Sequence, residues 1–219
     1  MIAGELVTQN VMPLKTSDSG NAALALMSDY YLKHLPIVNN LDLLGLISED
    51  DILDNDVEEA IGSYGLSLRN VYVYDYDHIY EVLKAFNLHQ VTALPVVDTD
   101  EQYKGMVLQE DIVKYLANSF SVQEPGAILV LEMSRRDYSL AEMAKIVESE
   151  NANILSSYVM PTPDSNIVQV TLKVNKQNLQ SIIAAFQRFK YLIKASYQEV
   201  EYMDSLKERY DSLMTYLDV

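Results

Sequence analysis

One phrase is written twice in this chain. GLISEDDIL runs from Gly45 to Leu53, and GMVLQEDIV from Gly105 to Val113. Around it the repeat extends much further. Leu35-Pro36-Ile37-Val38 aligns with Leu94-Pro95-Val96-Val97 at an offset of 59, and upstream Leu14 meets Val73, Asp18 meets Asp77, Leu24 meets Leu83 and Met27 meets Phe86. One extra residue enters before Gly105, and the offset becomes 60 through Asp51 and Asp111. A repeat of this length demands that each copy form the same unit and bury the same faces. A one-residue insertion then belongs in a surface turn.

Each copy reads as β-α-β-β-α. A short strand (Val11 to Leu14; Val71 to Tyr74) precedes a helix with Asp18 or Asp77 at its start. In the second copy Ile79, Val82, Leu83 and Phe86 fall at helical spacing. A strand follows just after each Pro, then a turn ("NNLDL" or "DTDEQYK"), then a strand leading from the Gly. The acid pair opens a second helix, where carboxylates complement the positive N-terminus. One position differs in kind: Ser48 in the first copy is Leu108 in the second.

A different unit follows a linker at Asn118 to Glu124, which ends in Pro125-Gly126. Ala127 to Met133 reads as a strand. Ser139-Leu140-Ala141-Glu142 is a capping box, and Leu140, Met143, Ala144 and Val147 make the apolar face of the helix it opens. Ile154 to Met160 is a strand. Val168, Val170, Leu172 and Val174 alternate with polar residues, as in a sheet buried on one side. A helix on Leu179, Ile182, Ile183 and Phe186 and a strand from Leu192 to Tyr197 complete β-α-β-β-α-β, the ferredoxin-like order. In the tail, Met203, Leu206, Tyr210, Leu213 and Leu217 step by three and four, an a/d seam of about two heptads. Such a helix packs either on its own domain or on a second subunit.

The twofold Leu-Pro-Ile-Val (or Val-Val) followed by Gly-x-x-Ser/Leu-x-x-Asp-Ile resembles the CBS domain, and two in tandem resemble a CBS pair, or Bateman module. The resemblance covers residues 5 to 118. It implies one pseudo-symmetric module with two clefts between the repeats. Many such clefts take adenosine-type ligands: AMP, ADP, ATP, S-adenosylmethionine or diadenosine messengers. The last unit resembles an ACT-like domain, but its first strand–helix loop, Ser134-Arg135-Arg136-Asp137-Tyr138-Ser139-Leu140, lacks the Pro-Gly pair of the amino-acid-binding members. Dimerisation through the sheet is the role left to it. The whole layout resembles the acetoin-utilisation protein B type. The expected fold class is therefore α+β, with repeats over 1–60 and 61–120, an ACT-like domain over 126–199 and an amphipathic helix over 200–219.

The residue chemistry fits such a ligand. A carboxylate accepts both hydrogen bonds of a ribose 2′,3′-diol, and backbone N–H groups at a helix start attract phosphate. Asp51 and Asp111 are the candidates, with Ser48 as a phosphate donor, Gly45 and Gly105 allowing close backbone approach, and His34 on the same cleft. The opposing account of Asp51 and Asp111 is dipole complement alone, worth ~0.3–1 kcal/mol. Since Leu108 cannot donate, the Ser48/Asp51 half is the better nucleotide site.

Composition narrows the partners. The chain has 32 acidic and 16 basic residues, net −16, with no basic cluster, which opposes nucleic acid and anionic membrane surfaces. It has no Cys, hence no disulfide and no thiolate metal site. There is no P-loop, no G-x-G-x-x-G, no G-x-S-x-G and no metal-spaced set among His34, His78 and His89. The acid run from Glu49 to Glu59 lacks calcium-loop spacing. No leader with a basic and then an apolar segment opens the chain. The expectation is a cytoplasmic, homodimeric, non-enzymatic regulator with no obligatory cofactor or metal and with AMP, ADP, ATP or S-adenosylmethionine as its regulatory ligand. The competing expectation is a constitutive scaffold with vestigial clefts, whose acidic surface docks a basic partner enzyme.

Overall fold

The computed structural model describes residues 1–163, 166–198, 210, 212–214 and 216. It contains two compact units, Met1–Tyr115 and Leu116–Val219. In the first, helix α1 (Gly20–Asp29) leads to the hairpin β1 (His34–Asn39) and β2 (Asp42–Ser48), then to the short helix α2 (Glu49–Leu53). The second copy runs β3 (Val73–Tyr74), α3 (Ile79–His89), β4 (Ala93–Val97), β5 (Tyr103–Leu108) and α4 (Gln109–Ser119). The β-α-β-β-α order holds, with two corrections.

The strand expected at Val11 to Leu14 shrinks to one bridge, Leu14 against Ile37. Pro13 has no N–H to give a ladder, so only Leu14 is paired: it donates to the Pro36 carbonyl and accepts from Val38. Asp18 and Asp77 stand one residue before the helix caps. The caps are Ser19 and His78, while each Asp accepts the N–H three residues back, Lys15 at 2.8 Å and Tyr74 at 2.9 Å, and closes the turn that enters the helix. The inserted residue sits where a turn was expected. Asn39 pairs with Asp42 in a two-residue turn with Asn40 at φ 55°, whereas the second hairpin has a longer loop in which Asp98 accepts from Asp100 and Gln102.

What joins the repeats is an exchange of leaders. The segment before the second copy docks on the first: Ile61 N–H donates to Asp18, Gly62 to Thr16, and Leu68 bridges Leu46. The chain start docks on the second copy in the same way. There Ala3 donates to Asp77, Gly4 to Asp75, and Thr8 bridges Met106. The hairpin tips also meet, Asp42 against Gln102. Gly45 and Gly105 stand where these segments cross, at φ 152° and 142°, in backbone space that side chains rarely adopt. A Cβ on Gly45 would lie 3.2 Å from the Arg69 Cα, and one on Gly105 would lie 2.9 Å from the Thr8 carbonyl and closer still to the Val7 side chain. One core then serves both copies, with Ala93, Met106 and Leu108 packed among Leu35, Ile37, Ile47 and Ile52.

The second unit holds β6 (Ala127–Ser134), α5 (Leu140–Ser149), β7 (Ile154–Pro161), β8 (Ile167–Val174), α6 (Gln180–Arg188) and β9 (Leu192–Gln198). The sheet order is β7-β8-β6-β9, with every neighbouring pair antiparallel, which is the ferredoxin-like topology. Its alternation buries Val168, Val170, Leu172 and Val174 against Met143, Ile146, Val147, Ile182 and Phe186 of the two helices. Ser139 caps α5 by accepting from Glu142 N–H at 3.3 Å. Of the tail seam, Tyr210 and Leu213 are helical and exposed, while Met203, Leu206 and Leu217 lie outside the described residues.

The leader crossing makes a direct prediction. Gly105→Ala should destabilise the first unit by about 2–4 kcal/mol through strain and overpacking, whereas Gly65→Ala, with nothing within 4 Å of its added carbon, should stay within about 0.5 kcal/mol. Urea unfolding of the two variants measures both.

Candidate ligand site

The site is built by register. In the first hairpin His34 lies directly across from Ser48, the last residue of β2. Ser48 then caps α2: its Oγ accepts from Asp51 N–H at 3.0 Å, and Asp51 Oδ2 accepts from Ser48 N–H at 3.0 Å. A reciprocal cap fixes both side chains without consuming their whole capacity. The Ser48 hydroxyl hydrogen is still free to donate. Asp51 Oδ2 also takes a hydrogen bond from Ser67 Oγ at 2.9 Å, and among the described residues Oδ1 accepts none.

His34 ties this group to the other repeat. Its Nδ1 accepts the Thr92 backbone N–H at 3.2 Å and lies 3.3 Å from Thr92 Oγ1, which in turn accepts Lys33 N–H at 2.9 Å. Nδ1 is thus an acceptor, so the neutral ring carries its proton on Nε2. Burial lowers the His34 pKa, against the upward pull of the Asp51 and Asp50 carboxylates. The half-buried cluster His34, Ser48, Asp51 and Thr92 therefore offers an N–H, hydroxyls and a carboxylate on one seam between the repeats.

The second copy is built from other chemistry. Ala93 lies across from Leu108 in the register of His34 and Ser48. Both are buried, at 0% and 7% exposure, and both belong to the shared core. The lost hydroxyl and the lost imidazole are one change, because the two positions are cross-strand neighbours. Asp111, in the first turn of α4, pairs with Lys114 at 3.4 Å, as Glu110 does at 3.2 Å. No hydrogen bond or ion pair joins Asp111 to the His34 group among the described residues. Gly45 and Gly105 lie under the crossing leaders. Sequence reasoning missed Ser67 and Thr92. Thr92 stands at the position of Lys33 in the repeat, and Ser67 precedes the leader residue Leu68 that bridges β2, but their contacts run between the repeats and the offset does not encode them.

The family model of the CBS domain matches residues 3–58 and 64–118. The chain belongs to the CBS-domain family. It is 26% identical over 120 residues to an uncharacterized protein of Methanocaldococcus jannaschii, across 53% of this chain and 40% of that protein. The chain spans less than half the length of the curated relatives it matches. Among solved structures, a CBS domain pair/ACT domain protein from Thermotoga maritima is 27% identical with a TM-score of 0.49, covering 54% of this chain and 98% of that one. CBSX2, solved in complex with AMP, is 23% identical with a TM-score of 0.47, covering 53% and 96%. CBS pairs are regulatory modules as a class. No helix among the described residues is long and apolar enough to cross a membrane.

The His34 tie has a signed pH dependence. Its folded pKa lies below the unfolded value of 6.5. The unfolded chain therefore binds the extra proton first, and this contribution to stability is full above pH 6.5 and is lost as pH falls below it. Denaturation midpoints followed from pH 7.5 to lower pH should show a decline in the wild type that is smaller in His34→Gln. Parallel profiles would show that His34 titrates normally.

Proposed function

We propose that this chain is a non-enzymatic regulator whose CBS pair senses an adenosyl ligand at the first-repeat cluster, with Asp51 on the ribose hydroxyls and Ser48 on a phosphate. The observation that carries the reading is the asymmetry between the copies. His34, Ser48 and Asp51 keep unspent hydrogen-bonding capacity at a seam between the repeats, while the matching Ala93 and Leu108 are buried in the core. Asp51 is held rigidly by Ser48 and Ser67, so a ligand meets a preorganised acceptor and little ordering entropy opposes binding. Gly45 and Gly105 act by admitting the leaders that shape the cleft. Asp111, which faces the ammonium of Lys114 at 3.4 Å, is the weaker acceptor in this reading.

Regulation follows by population shift. A ligand touching His34, Ser48, Ser67 and Thr92 contacts both repeats and one leader, and it favours whichever arrangement of these segments it binds better. The chain acts in the cytoplasm as a homodimer, AMP, ADP, ATP and S-adenosylmethionine are the ligands to try, and a partner enzyme receives the signal. A second reading, a constitutive scaffold, draws support from the net charge of −16, which suits a basic partner.

Equilibrium binding of the four ligands separates these. Asp51→Asn keeps an oxygen for the cap and removes the charge, so the fold survives and affinity should fall at least about 10-fold, the size of one charge-assisted hydrogen bond. Asp111→Asn should leave affinity unchanged. Equal losses in both variants would contradict the assignment, and no binding of any of the four would favour the scaffold.

A further inference from the structure

The two leaders differ in chemistry where they cross the hairpins. Leu68 bridges Leu46 and Thr8 bridges Met106, and Leu46 and Met106 are related by the 60-residue offset of the repeat. Ser67 therefore corresponds to Val7, and Arg69 to Gln9. Val7 lies against Gly105, and the Gln9 amide donates to the Lys104 carbonyl at 3.2 Å. In the other leader Ser67 donates to Asp51 at 2.9 Å. Arg69 is exposed, and it makes no hydrogen bond or ion pair among the described residues. Burial alternates along this stretch: Leu66 and Leu68 are half-buried, while Ser67 and Arg69 are exposed. Residues on either side of a paired strand position face the same way, ~6.7 Å apart. Arg69 thus stands on the Ser67 side of the leader, and its Cα is 3.2 Å from where Gly45, three residues before Ser48, would carry a Cβ. We infer that Arg69 recognises the phosphate of the ligand, so that the first-repeat cluster takes a phosphorylated adenosyl compound in preference to the cationic S-adenosylmethionine. This rests on the ligand reading above and deepens it by naming the residue that sets the charge class.

Electrostatics calls for such a cation. A phosphate held by Ser48 stands beside Glu49, Asp50 and Asp51, the acidic first turn of α2. In the second copy the corresponding helix brings its own cation, Lys114, which pairs with Glu110 and Asp111. In the first copy that position is Asp54, so the helix adds a further negative charge. The cations near the cluster are Arg69 on the leader and Lys33, which precedes His34 and is also exposed. A guanidinium presents a planar fork of donors that matches two phosphate oxygens, whereas an ammonium acts as a point charge. Arg69 also belongs to the same set of differences between the copies as His34, Ser48 and Ser67. Their counterparts Ala93, Leu108 and Val7 are apolar, and the Gln9 amide is already bonded to backbone.

The test is equilibrium binding of AMP, adenosine and S-adenosylmethionine to the full chain at one ionic strength, since screening alters charge contacts. Arg69→Gln installs the residue that the other leader carries at this place, and urea unfolding checks that the fold is kept. The wild type should bind AMP more tightly than adenosine or S-adenosylmethionine. In Arg69→Gln the AMP affinity should fall about 10-fold or more, the size of one charge-assisted hydrogen bond, with adenosine unchanged. Arg69→Lys should keep part of the preference. Equal losses for AMP and adenosine, a preference that disappears in Lys33→Gln but not in Arg69→Gln, or tighter binding of S-adenosylmethionine than of AMP would overturn the inference. An AMP affinity that falls in Asp51→Asn and not in Arg69→Gln overturns it alone. Binding of none of the three compounds overturns it together with the ligand reading.

Discussion

The first unit depends on a crossing of backbones. Each repeat lends its leader to the other, so neither copy completes its own sheet edge. At Gly105 the leader passes so close that a Cβ has no room, and at Gly45 a Cβ would be tight against the leader. The rest follows from that contact. It brings Ser67 onto Asp51, it shares one core between the copies, and it holds the two hairpins tip to tip at Asp42 and Gln102. A pair bound in this way cannot open like two separate domains, because opening would break the edge bridges of both copies together.

On this symmetric frame a single polar-to-apolar exchange divides the labour. His34 and Ser48 face each other across one hairpin, and Ala93 and Leu108 face each other across the other. The apolar pair adds buried surface to the common core. Burial of this kind contributes about 1.5–3 kcal/mol for a Leu-sized side chain. The polar pair forgoes that stabilisation and keeps hydrogen-bonding groups on the seam. Retaining His34 also places an imidazole of lowered pKa against Thr92, which links the seam to pH.

Much of this was legible in the sequence, because repetition supplies a second measurement of every position. The 59- and 60-residue offsets located both hairpins, the glycines and the acid-led helices, and alternation in Val168–Val174 located the sheet of the second unit. What escaped was whatever depends on contacts between distant segments. The leader exchange, Ser67 and Thr92 act across the repeats, and no local period encodes them. The strand expected at Val11 to Leu14 failed for a local reason, Pro13, and the helices are capped by Ser19 and His78 because Asp18 and Asp77 are spent closing the turns before them.

The central claim is that one half of the pair holds a ligand and the other half has become core. Isothermal titration of the full chain with AMP, ADP, ATP and S-adenosylmethionine reads this as a stoichiometry. The account predicts one molecule bound per chain by at least one of these ligands. Two equivalent sites per chain would contradict it, since Ala93 and Leu108 could not then be the closed counterpart of His34 and Ser48.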